Sequence, residues 1–442
     1  MPAFKFDFVQ FKSRAQEIAI YLLIRFASLP LQWMPYSWIQ VIGRAAGSLI
    51  FHCMHKYRKR TLSNLALATD LALSKENLIR VSKESFQNLA IVCLDYPRLS
   101  WEKRLSPLIA CENPEEAEAL ARQGKGIIFF CGHLSNWEIL FLDGTSRMKG
   151  IAVAKPIRNK LLYRWILSIR EKYGGKIIAQ SQCVKEGLRS LKQGIFLGIV
   201  GDQGMPSSGY SCSFLGRVAW TTTAPALLAY RTSCPIIFAE TRRVPGGYRI
   251  RYSNPIWPDP SAPMEQEIPR LMDKALALLQ ESIKSRPGEW LWQHNRWKQQ
   301  TPQNVYKRFR YDAVCLILPP EQKALAEILP HLETFKNIYP LDFLFLAAPE
   351  WTRGQKLIDA HETFFYRSLE ETLLNDYRFK IIFNFTDYQP IRRHYLNLSA
   401  FEVLTIAELK QLAEPHLAPG QNDLSEVFKR ALCRPGSLWK RT

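Results

Sequence analysis

The chain contains no C-x-x-C pair, and its nine cysteines are odd in number and widely spaced. That argues against a disulfide framework and against a structural zinc site, and free thiols in a reducing compartment are the simpler reading. No G-x-S-x-G occurs, so the sharp turn that presents a nucleophilic serine is missing and a covalent acyl-enzyme is not indicated. H-E-x-x-H is absent as well, which removes the usual helix-borne zinc site of a metal hydrolase. Helix-turn-helix, zinc-finger and RNA-recognition signatures are lacking, and so are internal repeats and low-complexity tracts.

Acidic residues are in short supply. The 442 residues include 40 Asp and Glu against 59 Lys and Arg, a formal net charge of +19. Such a surplus favours anionic partners: nucleic acid, acidic proteins or phospholipid surfaces. Between Ile18 and His55 there is no acidic residue at all. That stretch is apolar, yet an unbroken run of about 20 residues, the length a spanning helix needs, is interrupted by Arg25, Pro30 and Pro35. Three arrangements stay open: one tilted span, a pair of helices lying in the membrane interface, or an ordinary pair of core helices. In the second, Trp33, Trp38 and the basic cluster Lys56, Arg58, Lys59 and Arg60 sit at headgroup level. Lys5, Lys12 and Arg14 precede the apolar stretch, so both flanks are basic and charge gives no orientation.

What the sequence does have is apolar residues, 47%, and aromatics, 12%, with 12 Trp among them, enough for a sizeable core and in keeping with work on greasy substrates. Residues 61–122 read as helical, with Ser74-x-x-Asn77 opening one amphipathic helix. From Ile127 onward, short apolar runs alternate with helical periodicity: "GIIFFC", "GIAVAK", "KIIA", "IFLGIV", "PIIFAET" and "YRIRYSN" as strands, with a long helix over residues 265–285. That rhythm predicts an α/β fold, a mixed central sheet flanked by helices. The pattern breaks in the polar stretch near residue 305 and restarts with "AVCLIL", "LDFLFLA" and "FKIIFNF". This gives three expected parts: membrane-associated helices over 1–60, a main domain over 61–305, and a smaller α/β extension over 306–442. The extension carries no G-x-G-x-x-G and no P-loop.

The most informative stretch is "GIIFFCGHLSNWEIL", residues 126–140. His133 follows the end of a buried strand, and Glu138 lies five positions on. Both inside one helix, they would diverge by about 140°. They converge if the helix starts after His133, and Ser135-x-x-Glu138 matches a capping box that would start it there. The same match supplies a purely structural role for Glu138. Chemically, imidazole accepts a hydroxyl proton near neutral pH, and a carboxylate on its other nitrogen fixes the tautomer. Asp202 and Gln203 end a further strand, where a loop turn and a site role are equally open. Thr221, Thr222 and Thr223 precede a helix they are suited to cap. His294 reads as structural, and Trp290, Trp292 and Trp297 as core or as a wall for a hydrocarbon chain.

The "GHLSNWEIL" stretch resembles the signature of the late acyltransferases of lipid A biosynthesis, the lauroyl and myristoyl transferases. That family shares a His-x4-acid motif with the glycerolipid acyltransferases. Four further stretches resemble family blocks in the family's order: "AVAKPIRNKLLYRWI", "GIVGDQG", "FLGRVAWTTTAPALLAYRTSCPII" and "EWLWQHNRWK". The likeness spans about residues 15–300. Lys155 stands where the family has Arg, with Arg158 three residues on, and Gln293 and Asn295 replace a more usual Leu and Arg. The extension resembles that of chlamydia-type members.

The resemblance implies transfer of a fatty acyl chain from acyl carrier protein to a hydroxyl of a phosphorylated glycolipid, with no metal or organic cofactor. It implies His133 as general base, Glu138 orienting it, Lys155 or Arg158 neutralising an oxyanion or holding an acceptor phosphate, and Asp202 with Gln203 on the substrate side. It also implies attachment to the inner membrane with the catalytic domain on the cytoplasmic side. An acidic carrier and a phosphorylated acceptor both account for the basic surplus, and nucleic acid is not needed. A glycerolipid acyltransferase, or an inactive membrane-bound binding protein of the same fold, are the rival readings.

Overall fold

The structure is a computed structural model and describes residues 14–105, 108–205, 209–297, 301–418, 420–421 and 423–434. Lys5 and Lys12 lie outside these residues. The chain divides into two compact units: Met1–Cys53, Arg80–Phe214 and Thr221–Leu291 in one, Met54–Ile79, Leu215–Trp220 and Trp292–Thr442 in the other.

Up to residue 252 the strands are β1 (Ile109–Cys111), β2 (Ile128–Cys131), β3 (Gly150–Val153), β4 (Lys176–Ile178), β5 (Phe196–Val200), β6 (Ser211–Phe214), β7 (Arg217–Trp220), β8 (Ile236–Val244) and β9 (Gly247–Tyr252). All but β6 and β7 form one sheet in the order β1-β9-β8-β2-β5-β3-β4. Its pairs are parallel except β8 with β9, which run antiparallel. The sheet is therefore mixed and flanked by helices, as expected. Every residue of β2 is buried, the mark of a central strand covered on both faces. Phe129 joins the core formed with Ile139 and Leu142 of the helix Glu138–Arg147. The helices Cys183–Lys192, Ala224–Thr232 and Met264–Ser285 pack on one another and on the sheet.

Residues 61–122 are not helical throughout. The expected helix runs Lys75–Trp101, and Ser74 Oγ accepts the Asn77 N–H at 3.3 Å at its start. The three-residue β1, however, interrupts the stretch. So short a strand shows no periodicity and exists through its pairing with β9.

At the amino terminus, Arg14–Trp33 and Tyr36–Cys53 are helices. Among the described residues no helix is long and apolar enough to cross a membrane, so the tilted span has no support. The two helices expose Leu23, Phe26, Trp33, Trp38, Val41 and Leu49, with Phe26 76% accessible. Two members of the basic cluster are engaged within the second unit. Lys59 donates to the Ala400 carbonyl at 2.8 Å, and burial pushes its ammonium down. Arg60 is half-buried and also lowered by burial.

The second unit holds a parallel sheet of β10 (Ala313–Ile317), β11 (Phe343–Pro349), β12 (Glu362–Tyr366), β13 (Ile381–Asn384) and β14 (Glu402–Thr405), in the order β12-β11-β10-β13-β14. Val314 and Leu316 enter one buried cluster, Cys315 and Ile317 another, the two-residue period of a strand with helices on both sides. Lys380 and Asp312 form a fully buried ion pair at 2.6 Å, and Lys380 Nζ also donates to Asn64 and Asn295. Burial pushes the Lys380 ammonium down to about 8 against the attraction of Asp312.

Candidate active site

The register of the first sheet creates the site. β2 and β5 are parallel neighbours with Cys131 opposite Val200, and the Gly201 N–H donates to the Cys131 carbonyl at 2.9 Å. Two residues further on, His133 and Asp202 come side by side at the carboxyl ends of their strands. Glycine suits both intervening positions, Gly201 most strictly because it faces a rigid ring and Gly132 less so because it faces the tip of a leucine. A Cβ at Gly132 would meet Leu279 Cδ1 at 2.6 Å and Asp202 Oδ2 at 3.2 Å, and one at Gly201 would meet the Phe130 ring at 2.2 Å.

His133 Nδ1 lies 2.7 Å from Asp202 Oδ1, and both residues are 2% exposed. Asp202 Oδ2 accepts the His133 backbone N–H at 2.7 Å and the Trp290 indole N–H at 2.8 Å. Burial alone would raise this carboxyl. The charge of His133 and the hydrogen bonds from His133 and Trp290 outweigh burial and hold it well below the usual carboxylate range. A carboxylate at Nδ1 makes that nitrogen the N–H donor and assigns the basic lone pair to Nε2.

Glu138 is placed differently from the sequence expectation. Its carboxylate is gripped by Arg170, from Nε to Oε2 at 2.7 Å and from Nη2 to Oε1 at 2.6 Å. The Trp137 indole adds a donor to Oε1 at 3.1 Å. Burial raises Glu138, but the Arg170 charge and hydrogen bonds, with smaller help from Tyr96 and His133, hold it below its ordinary value. The carboxylate on the imidazole is thus Asp202, and Glu138 belongs to a buried ion pair beside it. The capping box is also corrected. Ser135 adopts φ 47°, and the helix begins at Glu138. The Asn136 side chain takes the Glu138 N–H at 3.1 Å. An amide oxygen does here what the serine was expected to do.

Lys155 and Arg158 lie exposed in the segment between β3 and the helix Lys160–Arg170. Asn159 caps that helix, accepting the Leu161 and Leu162 N–H groups at 3.0 Å each. The same helix thus carries the exposed cations before its start and the half-buried Arg170 at its end. Gln203 is half-buried beside Asp202. Of the three threonines, Thr222 takes the cap, its Oγ1 accepting the Ala224 N–H at 3.3 Å. Trp290 bonds the site aspartate. The segment bearing it pairs with the turn, Leu134 opposite Trp290, and the Leu291 N–H donates to the His133 carbonyl at 3.1 Å. Trp292 and Trp297 are core residues of the second unit, where the His294 carbonyl accepts from Asn64. Sequence reasoning missed Arg170, Asn136 and the site role of Trp290. Arg170 reads in sequence only as a cation ending an amphipathic helix.

A buried histidine–aspartate pair at the carboxyl ends of an α/β sheet is an arrangement able to accept and hold a proton. The family model described as bacterial lipid A biosynthesis acyltransferase matches residues 9–299, and the chain belongs to that family. It is therefore an acyltransferase of lipid A biosynthesis, with an acyl donor and a lipid acceptor as substrates. The chain has no match among curated proteins.

Proposed function

We propose that the protein moves a fatty acyl chain from acyl carrier protein to a hydroxyl of a lipid A precursor, at the cytoplasmic face of the inner membrane. The observation that carries this reading is the 2.7 Å contact of His133 Nδ1 with Asp202, which equips Nε2 as a base. His133 takes the proton of the acceptor hydroxyl as its oxygen attacks the thioester carbonyl. Asp202 holds the ring and stabilises the imidazolium. The C–S bond breaks, the new ester forms, and the carrier thiolate leaves with the proton held on His133. The Glu138–Arg170 pair fixes the start of the helix behind the turn and adds a second carboxylate near the imidazolium. Exposed Lys155 and Arg158 meet the acceptor phosphates as point charge and fork respectively. No metal or organic cofactor enters this scheme. The exposed apolar face of the two amino-terminal helices supports interfacial attachment without a span.

The test is an acyl-transfer assay. Purified protein is mixed with a series of acyl carrier protein thioesters and a tetra-acylated, sugar-capped lipid A precursor, and product is read by mass spectrometry. One added acyl chain, falling at least about 10²-fold in His133→Ala, is the expected result. An unchanged rate in His133→Ala rules out the base. No product with any donor, from folded protein, moves the reading to another lipid acceptor or to a binding protein.

A further inference from the structure

The helix Lys75–Trp101 turns one polar stripe toward the two segments that build the site. Ser85 Oγ donates to the Trp290 carbonyl at 2.6 Å. Asn88 Nδ2 donates to the carbonyls of Ser135 and Glu289, at 3.1 and 2.9 Å. Asp95 Oδ2 accepts from Asn136 Nδ2 at 2.7 Å. Spacings of three and seven residues keep these side chains on one helix face.

Asn136 is the hinge of this arrangement. Its Nδ2 faces the Asp95 carboxylate and its Oδ1 takes the Glu138 N–H, so both ends of one amide are committed. Asp95 is 1% exposed. The same oxygen accepts from the hydroxyls of Tyr36, at 3.2 Å, and Tyr248. Arg243 donates to the Tyr248 hydroxyl from behind. Burying a carboxylate here is unfavourable, and burial pushes it up to about 6 despite Arg243 and its three hydrogen-bonding partners. A neutral apolar residue would suit the cavity better if packing were all that mattered. What the carboxylate provides is a directed acceptor for Asn136.

We infer that Asp95 is a positioning residue for acyl transfer, acting through Asn136 to set where the Glu138 helix begins and hence the turn that carries His133. It rests on the reading of His133 as the base. Asp95 touches no reacting atom, and its effect is on geometry, to which rate is steep.

The experiment compares wild type, Asp95→Leu, Asn136→Leu and the double variant for kcat, KM of both substrates and Tm. Asp95→Leu keeps a side chain of similar size and removes the acceptor of the Asn136 amide. Asp95→Asn, whose amide oxygen still accepts from Asn136, is the control and should stay within about two-fold of wild type in kcat. The expected result is a kcat lowered about 10-fold in Asp95→Leu and in Asn136→Leu, KM within about two-fold, and no further loss in the double variant, because both changes break one link. Wild-type kcat in both single variants, or losses that multiply in the double, overturns the inference. So does a kcat loss that only tracks a falling Tm. If Asp95→Leu does not fold, Asn136→Leu, which leaves Asp95 its two tyrosine donors, carries the same kcat, KM and Tm criteria. Absence of product from wild type would instead overturn the proposed function, so the two failures are distinct.

Discussion

Arg170 holds Glu138 with two parallel hydrogen bonds, 2.7 and 2.6 Å long. The pair joins the end of one helix to the first residue of another. Fork-on-carboxylate geometry of this kind is the strong form of an ion pair. It occupies the carboxylate that the His-x4-Glu spacing seemed to offer to the imidazole, and Asp202, arriving from a neighbouring strand, takes that place.

Asp202→Asn should therefore be among the most damaging changes. It puts an amide where a carboxylate sets the tautomer, and kcat should fall by about 10³-fold or more with substrate binding retained. Steady-state kinetics checks this; a loss under about three-fold would show that Asp202 does not orient the base.

Arg170→Met should cost about 3 kcal/mol of folding stability, because it leaves a buried carboxylate unpaired. Arg170→Met with Glu138→Leu should recover much of that in urea denaturation. Glu138 is depressed in the folded state, so the pair's contribution is present above the unfolded carboxyl range. It is lost as pH falls through the folded value.

Lys380→Met should destabilise the protein by about 3 kcal/mol, since Asp312 would keep only Arg217, at 3.7 Å, as a cationic partner in the interior of the second unit. Asp312→Leu, which takes the partner from both Lys380 and Arg217, should cost at least as much. Denaturant melts check this, and a loss under about 1 kcal/mol in both variants would refute the account of the ion pair.

Lys155→Ala and Arg158→Ala should raise the KM for the glycolipid and spare kcat. With a dephosphorylated acceptor, wild type and variants should become alike. A KM effect that persists without the phosphates would assign these exposed cations another role.

Phe26→Glu and Trp38→Glu, at positions 76% and 63% exposed, should leave Tm unchanged. Both should weaken co-sedimentation with phospholipid vesicles by about 10-fold or more, the consequence of placing a charge on an apolar docking face. Unaltered vesicle binding would remove this face as the attachment surface.

Much of the fold could be read from the sequence because β2, β5 and β8 are apolar runs punctuated by glycine or proline. β1 could not, nor could the edge strands β12 and β14. Three to five residues with mixed burial carry no period, and partner strands distant in sequence decide them. At the site, His133 was visible from its place after a strand. Asp202 stands out too, at the end of a further strand, but its pairing with His133 does not, since the juxtaposition of residues 133 and 202 depends on strand order rather than spacing. The helix starts later than the capping-box spacing suggests for a local reason: Ser135 adopts the left-handed region with its N–H bonded to the Glu289 carbonyl, and the Asn136 side chain lies where an acceptor is needed. Arg170 carried no local sign of its partner, which is 32 residues away.

With imidazole neutral, the buried group formed by Arg170, Glu138, His133 and Asp202 sums to one negative charge. A proton reaching His133 brings the sum to zero. In the proposed mechanism, taking the acceptor's proton therefore leaves the four side chains with no net charge instead of adding one. When the leaving thiolate recovers the proton in that mechanism, the cluster returns to its anionic form. On this proposal the four side chains together act as a vessel for a single proton, filled and emptied once in each turnover.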